Sequence, residues 1–425
     1  MKIMINLAIS LMALPCLATY SNPHLEKLSL QGSFKAQRTL DRCEKVSKES
    51  SLKSIIRAGT KIYYEHIVNS PSFPTLIFFP GGPGGSSIGK YKRFEILKTL
   101  FNVILIDPRG FGCNFFGKAS YQYKNVGNSA VALDVVEVVK QENLINFFLY
   151  GHSYGTVLAT VSSYKLEQVG LHPKAVVLEG TVGRWFDHNW NQVYNSIIAD
   201  NFNVRIRQDP WIVEALNRAD QLELDSELFF NEFLRGFYHN NGVLFPYKDS
   251  QYSSAQADFL NLSDRDFLEK FQEKIGNSPD RTVGPPQYDE SIKNLISCAE
   301  VSKVDIEYNI YWNQSLQKIE ARPAPGAKDV CADYNLLNPY SPAEFPIRSR
   351  LVYLQGTDDP ATPVDGAFEH YESQPKKDNK EFILSQGAGH SLFKEALESC
   401  EFSVWSAVLK GDLVSSVLNS DGHCK

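Results

Sequence analysis

The chain has 425 residues, of which 43% are hydrophobic and 22% charged, and its net charge is −6. This is the balance of a globular protein long enough for one large domain with an insertion, or for two domains. An acidic balance argues against nucleic acid as a partner, which would call for a basic face.

The N-terminus carries its own signal. Met1-Lys2 is followed by Ile3 to Leu17, nearly all apolar and free of acidic residues, with small residues at Cys16 and Ala18. Residues 1–18 therefore read as a secretory signal peptide. The apolar run is short for a retained anchor, and no later segment is long enough to span a bilayer, so no membrane span is expected once the signal is removed. Pro15 disfavours a lipoprotein reading through Cys16. Six cysteines remain after Cys16 is lost: Cys43, Cys113, Cys298, Cys331, Cys400 and Cys424. An even number in an exported chain points to disulfides, without fixing their connectivity.

Residues 19 to about 57 are polar and read as irregular. Gly59 to Ile67 alternates like a strand, and Thr75 to Phe79 reads as a buried one. The latter runs into Pro80-Gly81-Gly82-Pro83-Gly84-Gly85-Ser86-Ser87, which lacks the Lys-Ser/Thr of a phosphate-binding P-loop. Glycines there let backbone N–H groups approach a substrate oxygen, and the prolines hold the loop's shape. Tyr91 to Leu100 reads as a helix and Phe101 to Ile106 as a buried strand ending in Asp107-Pro108-Arg109-Gly110-Phe111-Gly112. Ser129 to Lys140 is an amphipathic helix. Asn146 to Tyr150 is another buried strand, and it leads into Gly151-His152-Ser153-Tyr154-Gly155-Thr156 and a helix over Tyr154 to Tyr164. Ala175 to Leu178 is the next strand, ending in Glu179-Gly180. The alternation predicts a mostly parallel sheet with helices on both faces.

From Thr181 to Glu344 the rhythm changes to polar, aromatic-rich helical patterns such as Trp211 to Phe237, with loop-like stretches at Asp249 to Asp264 and Asn277 to Tyr288. This block reads as a mainly helical cap inserted into the core. The α/β rhythm returns with a strand over Ser349 to Gln355, the run Gly356 to Pro363, a helix over Asp365 to Glu372, a last strand over Lys380 to Leu384, and Gly387-Ala388-Gly389-His390-Ser391. The expected organisation is a signal peptide (1–18), a first core part (19–180), the cap (181–344) and a second core part (345–425).

A strand, a Gly-x-Ser-x-Gly turn and a helix together form the nucleophile elbow of an α/β-hydrolase fold. Acyl transfer by a serine needs a base to take its proton, a carboxylate to orient the base, and donors for the oxyanion. The fold supplies them in the order Ser, Asp/Glu, His on loops at strand ends. Here that order gives Ser153, then Asp358 or Asp359, then His390. Asp359 is favoured because Pro360 and Pro363 fix its loop. His390 is selected by position: of the nine histidines, it follows a strand and a glycine-rich turn, whereas His152 sits beside the serine pointing away from it. The N–H groups of Gly82 and Tyr154 are the expected oxyanion donors. No cysteine or histidine spacing suggests a metal site, and no cofactor is expected.

These stretches together resemble the prolyl iminopeptidase and tripeptidyl aminopeptidase branch of the α/β-hydrolases, in particular its exported members. The similar motifs are Gly81 to Gly85, Asp107 to Gly112, Gly151 to Thr156, the acid loop Gly356 to Pro363, and a C-terminal part with Gly389-His390, Cys400, Leu409 to Leu413 and Cys424. The acid loop's likeness points to Asp359. Pro80 replaces a histidine common before the glycine pair, and Asn114 stands where serine often ends the second motif. In the cap the likeness rests on Ile296 to Glu300 and Cys331 to Tyr334. It implies pairing of Cys298 with Cys331 and of Cys400 with Cys424, leaving Cys43 for Cys113.

The resemblance implies a small peptide substrate with a free N-terminus. A carboxylate near the elbow would hold its ammonium, since an unpaired cation is costly to desolvate. Glu179 is the candidate substrate-binding residue, with a structural role, such as capping or pairing with Arg109 or Arg184, as its alternative. Trp185, Phe186 and Trp190 would either wall a pocket or form the core of the cap. The leading expectation is an exported serine aminopeptidase of prolyl or tripeptidyl type. A serine esterase or lipase, using the same triad, is the alternative. The complete Ser, Asp and His set argues against a third reading, an inactive binding module.

Overall fold

In the computed structural model the described residues are 34–48, 51–90, 94–115, 123–183, 339–357, 359, 361–375, 380–386, 388–394 and 400–420. Between 184 and 338 they comprise 196, 199–200, 203, 211–222, 261, 263–269, 295–301, 308–313, 315–316, 318–323 and 331. The signal peptide, Trp185, Phe186 and Trp190, and the loop-like stretch at 277–288 lie outside them.

Eight strands form one sheet: β1 (Leu52–Arg57), β2 (Thr60–Ile67), β3 (Thr75–Phe79), β4 (Asn102–Ile106), β5 (Phe147–His152), β6 (Ala175–Glu179), β9 (Arg350–Gly356) and β10 (Lys380–Ser385), in the order β1-β2-β4-β3-β5-β6-β9-β10. β1 with β2 and β2 with β4 are antiparallel, and every other pairing is parallel. Buried on both faces, the central strands read as nearly unbroken apolar runs such as Asn102 to Ile106 and Ala175 to Leu178. Core residues of α2 (Asn128–Gln141) and α3 (Gly155–Gln168), among them Val131, Val135, Leu158 and Val161, pack on one face. The other face takes Cys43 and Val46 of α1 (Phe34–Lys48), Val404 and Trp405 of α6 (Glu401–Lys410) and Val414 of α7 (Val414–Ser420). Trp405 is fully buried with its ring edge-on to Phe101 and Tyr150. Truncating such a side chain to alanine costs about 3–5 kcal/mol.

The strand order places a switch point between β3 and β5. The chain leaves β3 towards β4 on one side and leaves β5 towards β6 on the other. Open α/β sheets bind ligands in the crevice at such a point, beyond the C-terminal ends of the strands. Here the loops that meet there are the glycine-rich loop after β3 and the serine turn after β5.

Three regions differ from the sequence reading. Residues expected to be irregular form α1 and β1. The helix expected over Tyr91 to Leu100 is, in its described part, a short 3-10 turn at Leu97–Thr99. Within the inserted segment, α4 (Trp211–Gln221) is helical, but β7 (Tyr308–Asn313) and β8 (Lys318–Pro323) form an antiparallel hairpin that was not anticipated. Residues 223–237 of the expected longer helix are outside the described set. The remaining helix of the core, α5 (Val364–Ser373), lies between β9 and β10 as expected.

Candidate active site

The serine turn is strained and heavily restrained. Ser153 has φ +57°, a left-handed conformation that costs a non-glycine residue about 1–3 kcal/mol unless its surroundings enforce it. Three contacts enforce it: Ser153 N–H donates to the Glu179 carbonyl at 2.9 Å, and the Thr156 hydroxyl and N–H donate to the Ser153 carbonyl at 2.7 and 2.8 Å. Thr156 Oγ1 also accepts from Val182 N–H at 3.0 Å, which ties the turn to the loop after β6. Both glycines of the motif are required sterically. A Cβ on Gly155 would run into the Phe79 carbonyl of β3, and one on Gly151 into the first turn of α3.

Asp359 and His390 meet after β9 and β10. His390 Nδ1 lies 3.0 and 2.9 Å from the two carboxylate oxygens of Asp359, and both residues are buried. Asp359 accepts further hydrogen bonds from Ala361 N–H at 2.8 Å, Thr362 N–H at 2.9 Å, the Thr362 hydroxyl at 2.6 Å and Gln355 Nε2 at 3.0 Å. Burial by itself raises the carboxyl's pKa. The charge of His390 and the hydrogen bonds from His390 and Thr362 outweigh it and leave Asp359 below its ordinary value. Asp358, the alternative acid, lies outside the described residues.

Gly180 connects this pair to the serine. It directly follows Glu179, whose carbonyl holds Ser153 N–H, and it has φ +59°. A Cβ there would come within 2.9 Å of the His390 ring. On the other side, the His152 ring lies 4.9 Å from that of His390, with Nε2 near the His390 carbonyl (3.3 Å) and Ser391 Oγ (3.2 Å). His152 thus packs against His390 and Ser391 beside the serine turn.

The glycine-rich loop touches the serine itself: a Cβ on Gly81 would sit 2.9 Å from that of Ser153. Asp107, at the end of β4, shapes the loop. Its buried carboxylate accepts from Ser87 N–H at 2.6 Å, Ile88 N–H at 3.1 Å, the Ser86 hydroxyl at 2.8 Å and Cys113 N–H at 2.9 Å. Arg42 of α1 donates to Ser86 Oγ at 2.7 Å, and the Cys43–Cys113 disulfide ties α1 to the same region. Asn114, which replaces the usual serine, exchanges hydrogen bonds with Tyr63 N–H at 2.7 Å and the Tyr63 carbonyl at 3.0 Å and donates to the Asp107 carbonyl at 2.7 Å. The departure from the family pattern therefore has a structural use. Among the described residues, no hydrogen bond is made by the N–H groups of Gly82 or Tyr154.

Glu179 is 2% exposed. It accepts from the Tyr150 hydroxyl and, at 3.2 Å, from Phe393 N–H. Arg109, one of its suggested structural partners, is instead bound to Asp134 at 2.6 Å; Arg184 is outside the described residues. Glu179 lines a cavity of about 280 Å³ together with Gly81, Tyr150, His152, Ser391 and Glu401, so the cavity abuts the loops that carry Ser153 and His390.

Sequence reasoning missed Glu300. This residue of the inserted segment is fully buried. Its carboxylate accepts from the Tyr154 hydroxyl at 2.7 Å, the Tyr123 hydroxyl at 2.8 Å and Asn128 N–H at 2.7 Å. Burial raises its pKa despite these donors, and burial with the nearby Glu300 charge raises that of Tyr154 well above its ordinary value. The available signal was a lone acidic residue inside the apolar run Ile296-Ser297-Cys298-Ala299-Glu300-Val301. Cys298 is bonded to Cys331. Cys400 is disulfide-bonded as well, and Cys424, its expected partner, lies outside the described residues.

Strand order, elbow and flanking loops define an α/β-hydrolase, and the chain belongs to the alpha/beta hydrolase fold family, which matches residues 74–397. A Mycoplasma genitalium protein provisionally named a proline iminopeptidase is 31% identical over 102 residues, which is 24% of this chain and 31% of that protein. The match thus spans about a third of that relative's length. Among solved structures, an esterase from Rhodococcus sp. is 16% identical, covering 84% of this chain and 98% of its own, with a TM-score of 0.42. A thermophilic esterase from Thermogutta terrifontis is 15% identical, covering 85% and 99%, also with a TM-score of 0.42. At these scores the structural likenesses carry no argument about substrate.

Proposed function

We propose that the protein is an exported serine aminopeptidase of prolyl or tripeptidyl type, acting through Ser153, His390 and Asp359. The observation that carries the reading is the buried Asp359–His390 pair, packed against the loop that fixes Ser153. In the proposed reaction, Ser153 Oγ attacks the scissile carbonyl carbon while His390 Nε2 takes its proton. Asp359 holds the Nδ1 proton and stabilises the imidazolium. The N–H groups of Gly82 and Tyr154 receive the oxyanion. His390 then gives the proton to the leaving amine, and the acyl-enzyme is hydrolysed by water that His390 deprotonates.

Preference for a free N-terminus is assigned to Glu179. Its buried carboxylate lines the cavity beside the loops that carry Ser153 and His390, where a substrate ammonium would need a negative partner. The motif resemblance and the partial match to the named iminopeptidase support the same substrate class. Export is supported by the disulfides, among them Cys43–Cys113 and Cys298–Cys331. No helix among the described residues is long and apolar enough to cross a membrane.

The test compares chromogenic aminoacyl and tripeptidyl amides with their N-acetylated forms and with p-nitrophenyl esters. The reading predicts cleavage of free-amine amides, loss on acetylation, and a raised KM for those amides in Glu179→Gln. Cleavage of esters alone would make the protein an esterase.

A further inference from the structure

We infer that Glu300, supplied by the segment inserted between β6 and β9, is a positioning residue that sets the direction of the Tyr154 N–H at the serine turn. This rests on the serine-hydrolase reading above. Glu300 has no exposed surface and cannot touch a substrate. Its three donors come from three places: the short helix Tyr123–Val126, the first residue of α2, and the residue after Ser153. The Asn128 N–H is an orphan donor at a helix start, which a carboxylate satisfies well. Gly127 leaves room for it, since a Cβ there would lie 2.9 Å from Glu300 Oε1. The Glu300 backbone is fixed as well. Its carbonyl accepts from Tyr340 N–H at 3.0 Å, and Cys298, two residues earlier, is bonded to Cys331.

The link to catalysis is the strain at Ser153. A left-handed serine persists only where neighbouring contacts over-determine it. Backbone bonds restrain the serine from one side. On the other side, the Tyr154 side chain is anchored at its far end by Glu300. Tyr154 N–H follows the strained φ/ψ pair directly, so a relaxed turn would aim it away from a developing oxyanion. Such a misalignment affects the transition state more than ground-state binding. A plain packing tie between insertion and core would instead lower stability and leave turnover per folded molecule alone.

The full-length mature protein is assayed as wild type, Tyr154→Phe, Glu300→Gln and the double variant, with a p-nitrophenyl ester as probe. Active sites are counted with a fluorophosphonate, so misfolded molecules drop out of kcat. The expected result is a loss of about tenfold or more in kcat per labelled site in each single variant, with KM within about twofold. The double variant should be no worse than the more impaired single one, because both act on one bond: Tyr154→Phe removes its donor, and Glu300→Gln, its carbonyl oxygen kept by Tyr123 and Asn128, turns an NH2 donor towards the Tyr154 hydroxyl. Affinity for a boronic acid, a mimic of the tetrahedral intermediate, should fall by the same factor. Wild-type kcat per labelled site with a lowered melting temperature overturns the inference, as do losses that multiply. If Glu300→Gln fails to fold, Tyr154→Phe decides alone. Ser153→Ala, run in parallel, separates the two claims. Retained activity there sinks the hydrolase reading itself, while an inactive Ser153→Ala beside a fully active Tyr154→Phe sinks only the role of Glu300.

Discussion

His390 Nδ1 sits nearly equidistant from the two oxygens of Asp359, at 3.0 and 2.9 Å, in a pocket where four further donor groups converge on the same carboxylate. The carboxylate is thereby held as an anion facing the imidazole. Asp359→Asn keeps the shape and removes the charge, and its amide favours the wrong tautomer of His390. The expected loss is about 10³–10⁴ in kcat with little change in KM, measured by steady-state hydrolysis of a p-nitrophenyl ester. An unchanged kcat would remove Asp359 from the mechanism.

Gly180 offers a steric test of where the base must stand. Its φ of +59° and the 2.9 Å approach of a notional Cβ to the His390 ring leave a methyl group no room unless the ring shifts. Gly180→Ala should lower kcat by about 100-fold, the scale of a misplaced catalytic group. The same variant should still label with a fluorophosphonate, but slowly. Wild-type labelling and turnover would mean that the ring position is not critical.

The Cys43–Cys113 disulfide closes a loop with a sequence separation of 70 and anchors the helix whose Arg42 reaches Ser86. Chain-entropy reasoning assigns such a cross-link about 4 kcal/mol. The Cys43→Ser/Cys113→Ser double variant should therefore unfold at clearly lower urea concentration. It should also lose activity before it unfolds, because the Asp107-centred loop network would loosen first. Activity and fluorescence transitions that coincide would contradict that ordering.

His370 makes a separate prediction about acid stability. Its ring is buried between the Tyr353 hydroxyl (2.9 Å, Nδ1) and the Tyr340 and Thr160 hydroxyls (3.0 and 3.1 Å, Nε2). Burial, helped by the charge of Lys380, depresses its pKa to about 3 from the ordinary 6.5. Below the ordinary value the unfolded chain takes up a proton that the folded protein refuses. The contribution of His370 is therefore complete above about pH 6.5 and is lost as pH falls towards 3, by up to about 1.4 kcal/mol per pH unit. His370→Gln should be less stable than wild type at pH 7.5, and the gap in melting temperature should shrink at pH 4.5. A gap independent of pH would show that His370 does not titrate on unfolding.

The parts of the site that were legible in sequence are those carried by short local motifs at strand ends. Gly151 to Thr156, Gly81 to Gly85, the acid loop and Gly389-His390 each announce a backbone requirement together with a side chain, and strand order then brings them to one crevice. What was not legible depends on long-range pairing. β1 was hidden because it is an edge strand with one buried side chain, Ile55, and with Lys53 and Arg57 turned to Glu142 and Asp134. Asp107 was visible as part of a motif, but its donors Ser86, Ser87 and Ile88 in the loop after β3 were not. Glu300 lies 147 positions after Ser153 in a segment without a core pattern, so nothing local connects it to Tyr154. The hairpin β7–β8 was missed because the helical patterns before it set the reading of the whole insertion.

The most direct test of the account is covalent trapping of the nucleophile. The protein is incubated with a fluorophosphonate, digested and mapped by mass spectrometry while amidase and esterase activities are followed. The account predicts one adduct per chain, on Ser153, with both activities falling in proportion to labelling and no adduct in Ser153→Ala. An adduct elsewhere, or a Ser153→Ala protein that keeps its activity, would contradict it.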